Sequence, residues 1–87
     1  METDTCQRII KRLLVVSKKK VPPSLEQSLF ESGWLDSFVL VDFMAALEEE
    51  FSIRIPSSDV TVRKFDSIAR IENYVNSRPK HLARGAS

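Results

Sequence analysis

The stretch "DSFVLVDFMAALEEEF", residues 36–51, contains the clearest helix of the chain. Asp36 is a good N-cap, because its carboxylate can accept hydrogen bonds from the free amides of a first helical turn. The pattern predicts an amphipathic helix over residues 37–51 with one side packed into a core. Its apolar positions recur at helical spacing and are Leu40, Phe43, Met44, Leu47 and Phe51.

Periodic apolar positions also predict a first helix, which Asp4 or Thr5 can cap. This helix should end within Lys18–Lys20, since cations favour a helix C-terminus and Pro22–Pro23 follow. Its apolar positions include Ile9, Leu13 and Val16. The next segment, up to Leu35, has no sustained period and predicts a long loop. The side chains expected to pin this loop are Leu25, Leu29, Phe30 and Trp34.

After Phe51, Pro56 prevents the helix from continuing, and residues 57–59 can start one short turn around Val60. A last helix should begin at Asp66 or Ser67. Its apolar positions are Ile68, Ile71 and Val75. The fold class expected is therefore all-α: a small four-helix bundle of three main helices and one short helix, with a long first loop. We expect one domain over residues 1–77 and a disordered basic tail over residues 78–87.

Composition excludes several classes of site. The single cysteine, Cys6, cannot form an internal disulfide or a cysteine-based zinc site. The only histidine, His81, lies in the expected tail, so no catalytic triad has a base. We expect neither a catalytic nor a metal site. The chain starts with no signal-like segment and has no run that could span a bilayer, which predicts a cytoplasmic protein without stable membrane insertion. We also expect a monomer.

Charge is segregated along the chain, although the net charge is only +1. Residues 7–20 carry six cations and no acid, whereas residues 36–51 carry five acids and no base. The basic segment could contact nucleic acid or an anionic membrane surface. It lacks interleaved aromatic residues, so the preferred interpretation is a solvated face with no nucleic-acid partner.

The position of Ser37 allows two interpretations. Asp-Ser at a helix start can be a capping signature and nothing more. Alternatively, Ser37 presents its hydroxyl near unpaired amides and the positive end of the helix dipole, where a phosphodiester would be favoured. Phe38 and Val41 lie off the apolar stripe, next to Asp42 and Glu49, and suggest a docking face. The alternative is that Phe38 folds back onto Trp34 or the loop.

Together these motifs resemble the acyl carrier proteins, which are four-helix bundles with a long first loop and an Asp-Ser-Leu motif opening the second helix. Here the motif stands as Asp36-Ser37-Phe38, and "MAALEEEFSIRIP" and "IARIENYV" resemble the family's second helix with its exit and its closing helix. The resemblance covers residues 4–77. It implies a non-catalytic carrier whose serine receives 4′-phosphopantetheine from coenzyme A and holds acyl or aminoacyl groups as thioesters.

Carried over by position, Ser37 would hold the prosthetic group, and Asp36 would help a phosphopantetheinyl transferase and its magnesium. The resemblance implies a docking surface for this transferase and for loading, condensing or transfer enzymes, formed by Phe38, Val41, Asp42, Glu48 and Glu49. It also implies a space for a bound acyl chain, bordered by Phe43, Leu47, Ile55, Val60 and Ile68.

Two departures from the fatty-acid members favour a stand-alone specialised carrier. Trp34-Leu35 precedes the motif, and Phe38 replaces its leucine. "LFESGWLDSF" is closer to D-alanyl and other aminoacyl carriers. The rival hypothesis is an unmodified helical interaction module that uses the same face.

Overall fold

The computed structural model describes residues 3–78, and every regular element within that range is helical. Helix α1 spans Asp4–Ser17 and α2 spans Ser37–Phe51. A 3₁₀ turn at Ser57–Asp59 is followed by the short helix α3, Val62–Phe65, and by α4, Ile68–Ser77. The expected four-helix bundle, with three main helices and one short one, is confirmed.

Side chains cap all four helices at their N-termini. The cap of α1 is Thr3, whose hydroxyl accepts a hydrogen bond from the Cys6 amide, so the expectation of Asp4 or Thr5 was wrong by one residue. The end of α1 is as predicted, because Lys18 ends the helix in the left-handed region with φ 60°. Ser67 caps α4 by accepting from the Arg70 amide at 3.2 Å, so the helix starts at the later of its two predicted starts, Asp66 and Ser67, with Ser67 as the cap.

The short helix lies later in the chain than the sequence pattern indicated. Residues 57–59 form the predicted short turn, which is a 3₁₀ turn that ends at Val60, and the short α-helix is a separate element. Helix α3 begins two residues further on, where the Thr61 side chain accepts from the Lys64 amide. Four residues are too few to show helical periodicity, so this helix could not be located from apolar spacing.

The long loop between α1 and α2 is held by buried side chains, as predicted. Leu29 and Trp34 are buried, and Leu25 and Phe30 pack against the core from half-buried positions. Asp66, the other predicted start of α4, binds this loop instead. Its Oδ1 accepts from the Ser28 hydroxyl at 2.7 Å and from the Phe30 amide at 3.3 Å.

The core lies between α1, α2 and α4 and includes the short helix through Phe65. The apolar stripe predicted for α2 faces this core, although Leu40, at the N-terminal end of the stripe, is only half-buried. The largest fully buried side chains are Phe43, Phe65, Ile9, Leu13, Leu29, Leu47, Ile68 and Ile71. Burial of this apolar surface is the main favourable term in the folding of such a bundle.

Part of the segregated charge is neutralised across the α1–α2 contact. The Glu50 carboxylate accepts from Arg8 Nε at 2.6 Å and from Arg12 Nε at 2.9 Å. Arg12 Nη1 also lies 3.2 Å from Glu49 Oε1. Two of the six cations counted in the basic segment therefore join helices, which reduces the surface left for an anionic partner.

The expected tail begins with one anchored residue. Arg78 Nε donates to the Arg54 carbonyl at 3.1 Å, and its guanidinium lies 3.7 Å from Asp59 Oδ2. The remaining tail residues, 79–87, including His81, lie outside the described residues.

Candidate functional site

The start of α2 is built around the Asp36 carboxylate. Asp36 has an extended backbone, with φ −130°, and its Oδ1 accepts from the Phe38 and Val39 amides, both at 2.9 Å. The Asp36 carbonyl accepts from the Leu40 amide at 2.8 Å and closes the first turn. Ser37 is the first residue of the helix and is exposed to solvent.

These contacts change one element of the electrostatic interpretation of Ser37. The sequence pattern placed its hydroxyl near unpaired amides, but the amides of Phe38 and Val39 are already bonded to Asp36. A phosphodiester on Ser37 would therefore still lie at the positive end of the α2 dipole. It would not find the Phe38 and Val39 amides free, because the Asp36 carboxylate accepts from both. The hydroxyl itself is accessible, which is what attachment of a group requires.

Phe38 and Val41 form an apolar pair at the surface beside Ser37. Their exposed fractions are 83% and 68%, so the alternative that Phe38 folds back onto Trp34 is wrong. Trp34 instead lies in the core, and its ring has Lys19 Nζ at 5.4 Å from the centroid. Asp42 is exposed on the same helix.

The two glutamates assigned to docking differ in their surroundings. Glu48 Oε2 accepts a hydrogen bond from the Ile55 amide at 2.8 Å, so this carboxylate holds the segment that leaves α2. Glu49 is exposed over 74% of its side chain and shares Arg12 with Glu50. Glu48 therefore has a structural contact, and Glu49 is exposed but paired with Arg12. The Asp42 side chain makes no hydrogen bond or ion pair within residues 3–78 and is open to a partner.

The residues expected to border an acyl chain lie in or against the core. Phe43, Leu47 and Ile68 are fully buried, Ile55 is buried, and Val60 packs on the core from a half-buried position. The structure shows one groove beside α1, lined by Ile10 and Leu14 among others, and another between α3 and α4. None of the five expected residues lines either groove.

Two other classes of site, metal centres and membrane spans, are absent from the described residues. No group of three or more His, Cys, Asp or Glu side chains within residues 3–78 is arranged to hold a metal ion. No helix of that range has the length and apolarity needed to cross a bilayer.

A profile described as "Phosphopantetheine attachment site" matches residues 7–75, which include the cap of α2 and the exposed serine. The chain belongs to this family. Its members carry covalently attached 4′-phosphopantetheine, and those found to resemble this chain are named as carrier proteins. The chain is accordingly a carrier protein of a non-catalytic family.

Full-length relatives include both aminoacyl and acyl carriers. An acyl carrier protein of Campylobacter curvus is 35% identical over 72 residues, which cover 79% of this chain and 91% of the relative. One from Campylobacter fetus is 33% identical over 70 residues, covering 77% and 88%. A D-alanyl carrier protein of Lactobacillus acidophilus is 25% identical over 77 residues, covering 84% and 98%. Resemblance of both kinds leaves the cargo open.

A feature that the sequence reading missed is the cationic lining of the groove between α3 and α4, called here the α3–α4 groove. Its cations are Arg63 and Lys64 of α3, Arg70 of α4, and Arg78 immediately after α4. A signal was present in the sequence, because Arg70, Tyr74 and Arg78 have the i, i+4, i+8 spacing of one helix face, although α4 ends one residue before Arg78.

Proposed function

We propose that the chain carries acyl or aminoacyl groups as thioesters on a 4′-phosphopantetheine arm attached to Ser37. The observation that carries the proposal is the exposed Ser37 hydroxyl at the first residue of α2, directly after the Asp36 cap. Ser37 also lies within the matched residues 7–75. When bound, the prosthetic group supplies a flexible thiol, and the protein supplies its position.

Attachment would form a phosphodiester at Ser37 Oγ and break the pyrophosphate linkage of coenzyme A. The nucleotide half leaves, and the serine proton passes to the transferase or to solvent. Asp36 suits a supporting role in this step, since only its Oδ1 is used in capping. Its Oδ2 makes no hydrogen bond to any part of the chain within residues 3–78 and is free to assist the magnesium of the transferase.

We further propose that partner enzymes dock on the exposed side of α2. Phe38 and Val41 would supply the apolar contact, while Asp42 and Glu49 would meet basic residues of the partner. Glu48 belongs to the same proposal but contributes less, because its carboxylate is engaged with Ile55. The partners are the phosphopantetheinyl transferase and loading, condensing or transfer enzymes.

Three finer elements complete the proposal. Phe43, Leu47, Ile55, Val60 and Ile68 would border an acyl chain if the core opens to receive one. The carrier would act as a monomer in the cytoplasm, where coenzyme A and the transferase are present. The departures around Trp34-Leu35 and Phe38 support a specialised pathway rather than the housekeeping synthesis of fatty acids.

Incubation with coenzyme A and a broad-specificity phosphopantetheinyl transferase tests the attachment. Intact-mass analysis should show one added phosphopantetheine on the full chain and none on Ser37→Ala. The matched control is Ser24→Ala, which removes an exposed loop serine and should gain the group as the wild type does. If the wild type gains no mass while a known carrier in the same reaction does, the chain is an unmodified interaction module.

A further inference from the structure

The α3–α4 groove is a concave site of about 540 Å³ away from the α2 docking face. Its cations come from two sides: Arg63 and Lys64 from α3, and Arg70 and Arg78 from α4 and its C-terminal cap. Among the described residues, the single carboxylate in the lining is Asp59 of the 3₁₀ turn. The described part of the groove therefore has a surplus of three positive charges.

The one carboxylate is already engaged by groups of the groove itself. Asp59 Oδ2 accepts from the Tyr74 hydroxyl at 2.7 Å, and its Oδ1 accepts from Lys64 Nζ at 3.3 Å. The hydrogen bond from the Tyr74 hydroxyl, and then the hydrogen bond and charge of Lys64, lower the pKa of Asp59. Burial and the same hydrogen bond raise the pKa of Tyr74 to about 12. Asp59 thus stays ionised and neutralises one cation, and Tyr74 stays protonated as a donor.

Arg78 is also close to this carboxylate, with Nη1 at 3.7 Å from Asp59 Oδ2. The other two arginines of the groove, Arg63 and Arg70, keep free donors. Arg70 Nη1 donates to the Arg63 carbonyl at 2.8 Å, which holds the Arg70 side chain against α3. Neither guanidinium is ion-paired with an acid in the part of the chain that the structure describes. Two neutral side chains of α4, Asn73 and Ser77, add further polar groups to the lining.

We propose that the α3–α4 groove binds the phosphate group of a small phosphorylated compound. Arginine forks match phosphate oxygens in a bidentate manner, and the two arginines without an acidic partner within residues 3–78, Arg63 and Arg70, come from α3 and α4. An acidic protein surface fits less well, because stable interfaces need an apolar centre. Within residues 3–78, Tyr74 is the only aromatic residue that lines the groove, and it is buried.

The proposal is independent of the attachment at Ser37, so the full-length Ser37→Ala chain is the protein to test. Pyrophosphate is titrated into this ¹⁵N-labelled chain, and amide chemical shifts are followed. Saturable changes should centre on residues 63–64 and 70–78, and they should weaken as salt is added. Failure of attachment would appear only in the mass assay, whereas failure here would appear only in this titration.

Arg63→Gln is the primary variant, because its exposed side chain makes no hydrogen bond or ion pair within residues 3–78. It should weaken pyrophosphate binding by about tenfold, as expected for loss of a charge-assisted contact. Arg70→Gln should do the same. Lys11→Gln is the matched control, since it removes one exposed charge on α1 and should leave the affinity unchanged.

Coenzyme A is titrated in a parallel arm to distinguish a phosphate ester from inorganic pyrophosphate. Tighter binding of either compound supports the site and shows which of the two kinds of ligand it prefers. Equal losses of affinity in Arg63→Gln and Lys11→Gln would overturn the proposal, because general charge would then explain the binding. Shifts that centre on α1, or no saturation, would overturn it as well. So would a hexaglutamate peptide that binds as tightly as pyrophosphate at equal ionic strength, which would assign the groove to an acidic protein partner.

Discussion

At the scale of single residues, Glu50 is the group that joins α1 to α2. Hydrogen bonds from Arg8 and then Arg12 lower its pKa from the usual 4.5. A carboxyl whose pKa is lowered on folding stabilises the protein above its unfolded-state pKa, and this contribution is lost as the pH falls through the folded-state value. We expect Glu50→Gln to lower the free energy of unfolding at neutral pH by about 1 kcal/mol, because the pair is partly exposed.

Urea unfolding of the wild type and Glu50→Gln from neutral pH down to below pH 4.5 checks this expectation. The difference between the two proteins should be constant near neutrality and should shrink as Glu50 becomes protonated. Glu49→Gln is the matched control, because its carboxylate is 74% exposed and contacts only Arg12. An equal effect of both variants would contradict a special role for Glu50.

The same residue shows where sequence reasoning stops. The segregation of cations in residues 7–20 and acids in residues 36–51 was visible in the sequence. Opposite charges on two helices can attract a partner or each other, depending on how each helix is rotated about its axis. Apolar spacing shows which side of a helix faces the core, but not which charged side chains of the two helices come into contact. Thus the cap at Asp36 and the exposed Ser37 could be predicted locally, whereas the long-range pairing of Glu50 with Arg8 could not.

At the scale of elements, the start of α2 combines a structural and a proposed functional role in Asp36. Asp36→Ala removes the acceptor of two amides and should cost about 1 kcal/mol of stability. Asp36→Asn keeps a cap of similar quality and should be nearly neutral. If Oδ2 assists the magnesium of the transferase, both variants should be modified more slowly than the wild type.

Thermal unfolding followed by circular dichroism, together with the initial rate of phosphopantetheine attachment, separates the two roles. The expected pattern is a stable but slowly modified Asp36→Asn. A wild-type rate for this variant would restrict Asp36 to capping. Ser67→Ala provides a control for loss of a cap elsewhere, because it removes the acceptor for the Arg70 amide at the start of α4 and leaves the attachment site intact.

The helices differ in how well their bounds could be predicted from the local sequence. The bounds of α2 followed from its cap and apolar stripe, because both signals are local and a helix of 15 residues repeats its pattern several times. Helix α3, with four residues, has no such repeat and was located only by the structure. Asp66 was a reasonable helix cap by type, but a contact with Ser28, 38 residues away, decided its role.

At the scale of the whole molecule, the net charge of +1 gives little long-range attraction to any partner. If basic enzymes dock on α2, the attraction must come from the local field of Asp42 and Glu49. Asp42 is exposed, whereas Glu49 is shared with Arg12. Asp42→Lys should therefore slow association with the transferase by about tenfold at low salt, more than Glu49→Lys does. Both variants should fold normally, because exposed carboxylates contribute little to stability.

Stopped-flow association rates at two ionic strengths measure this effect. The control is Glu26→Lys, which makes the same change in net charge at an exposed position of the long loop. Because the molecule's total charge is then identical, a slower rate for Asp42→Lys alone can arise only from the position of the charge on α2. The difference between the variants should also fall as salt screens the two surfaces. Equal rates for Asp42→Lys and Glu26→Lys would mean that partners approach the carrier through another face, and the docking role of Phe38 and Val41 would fall with that of Asp42.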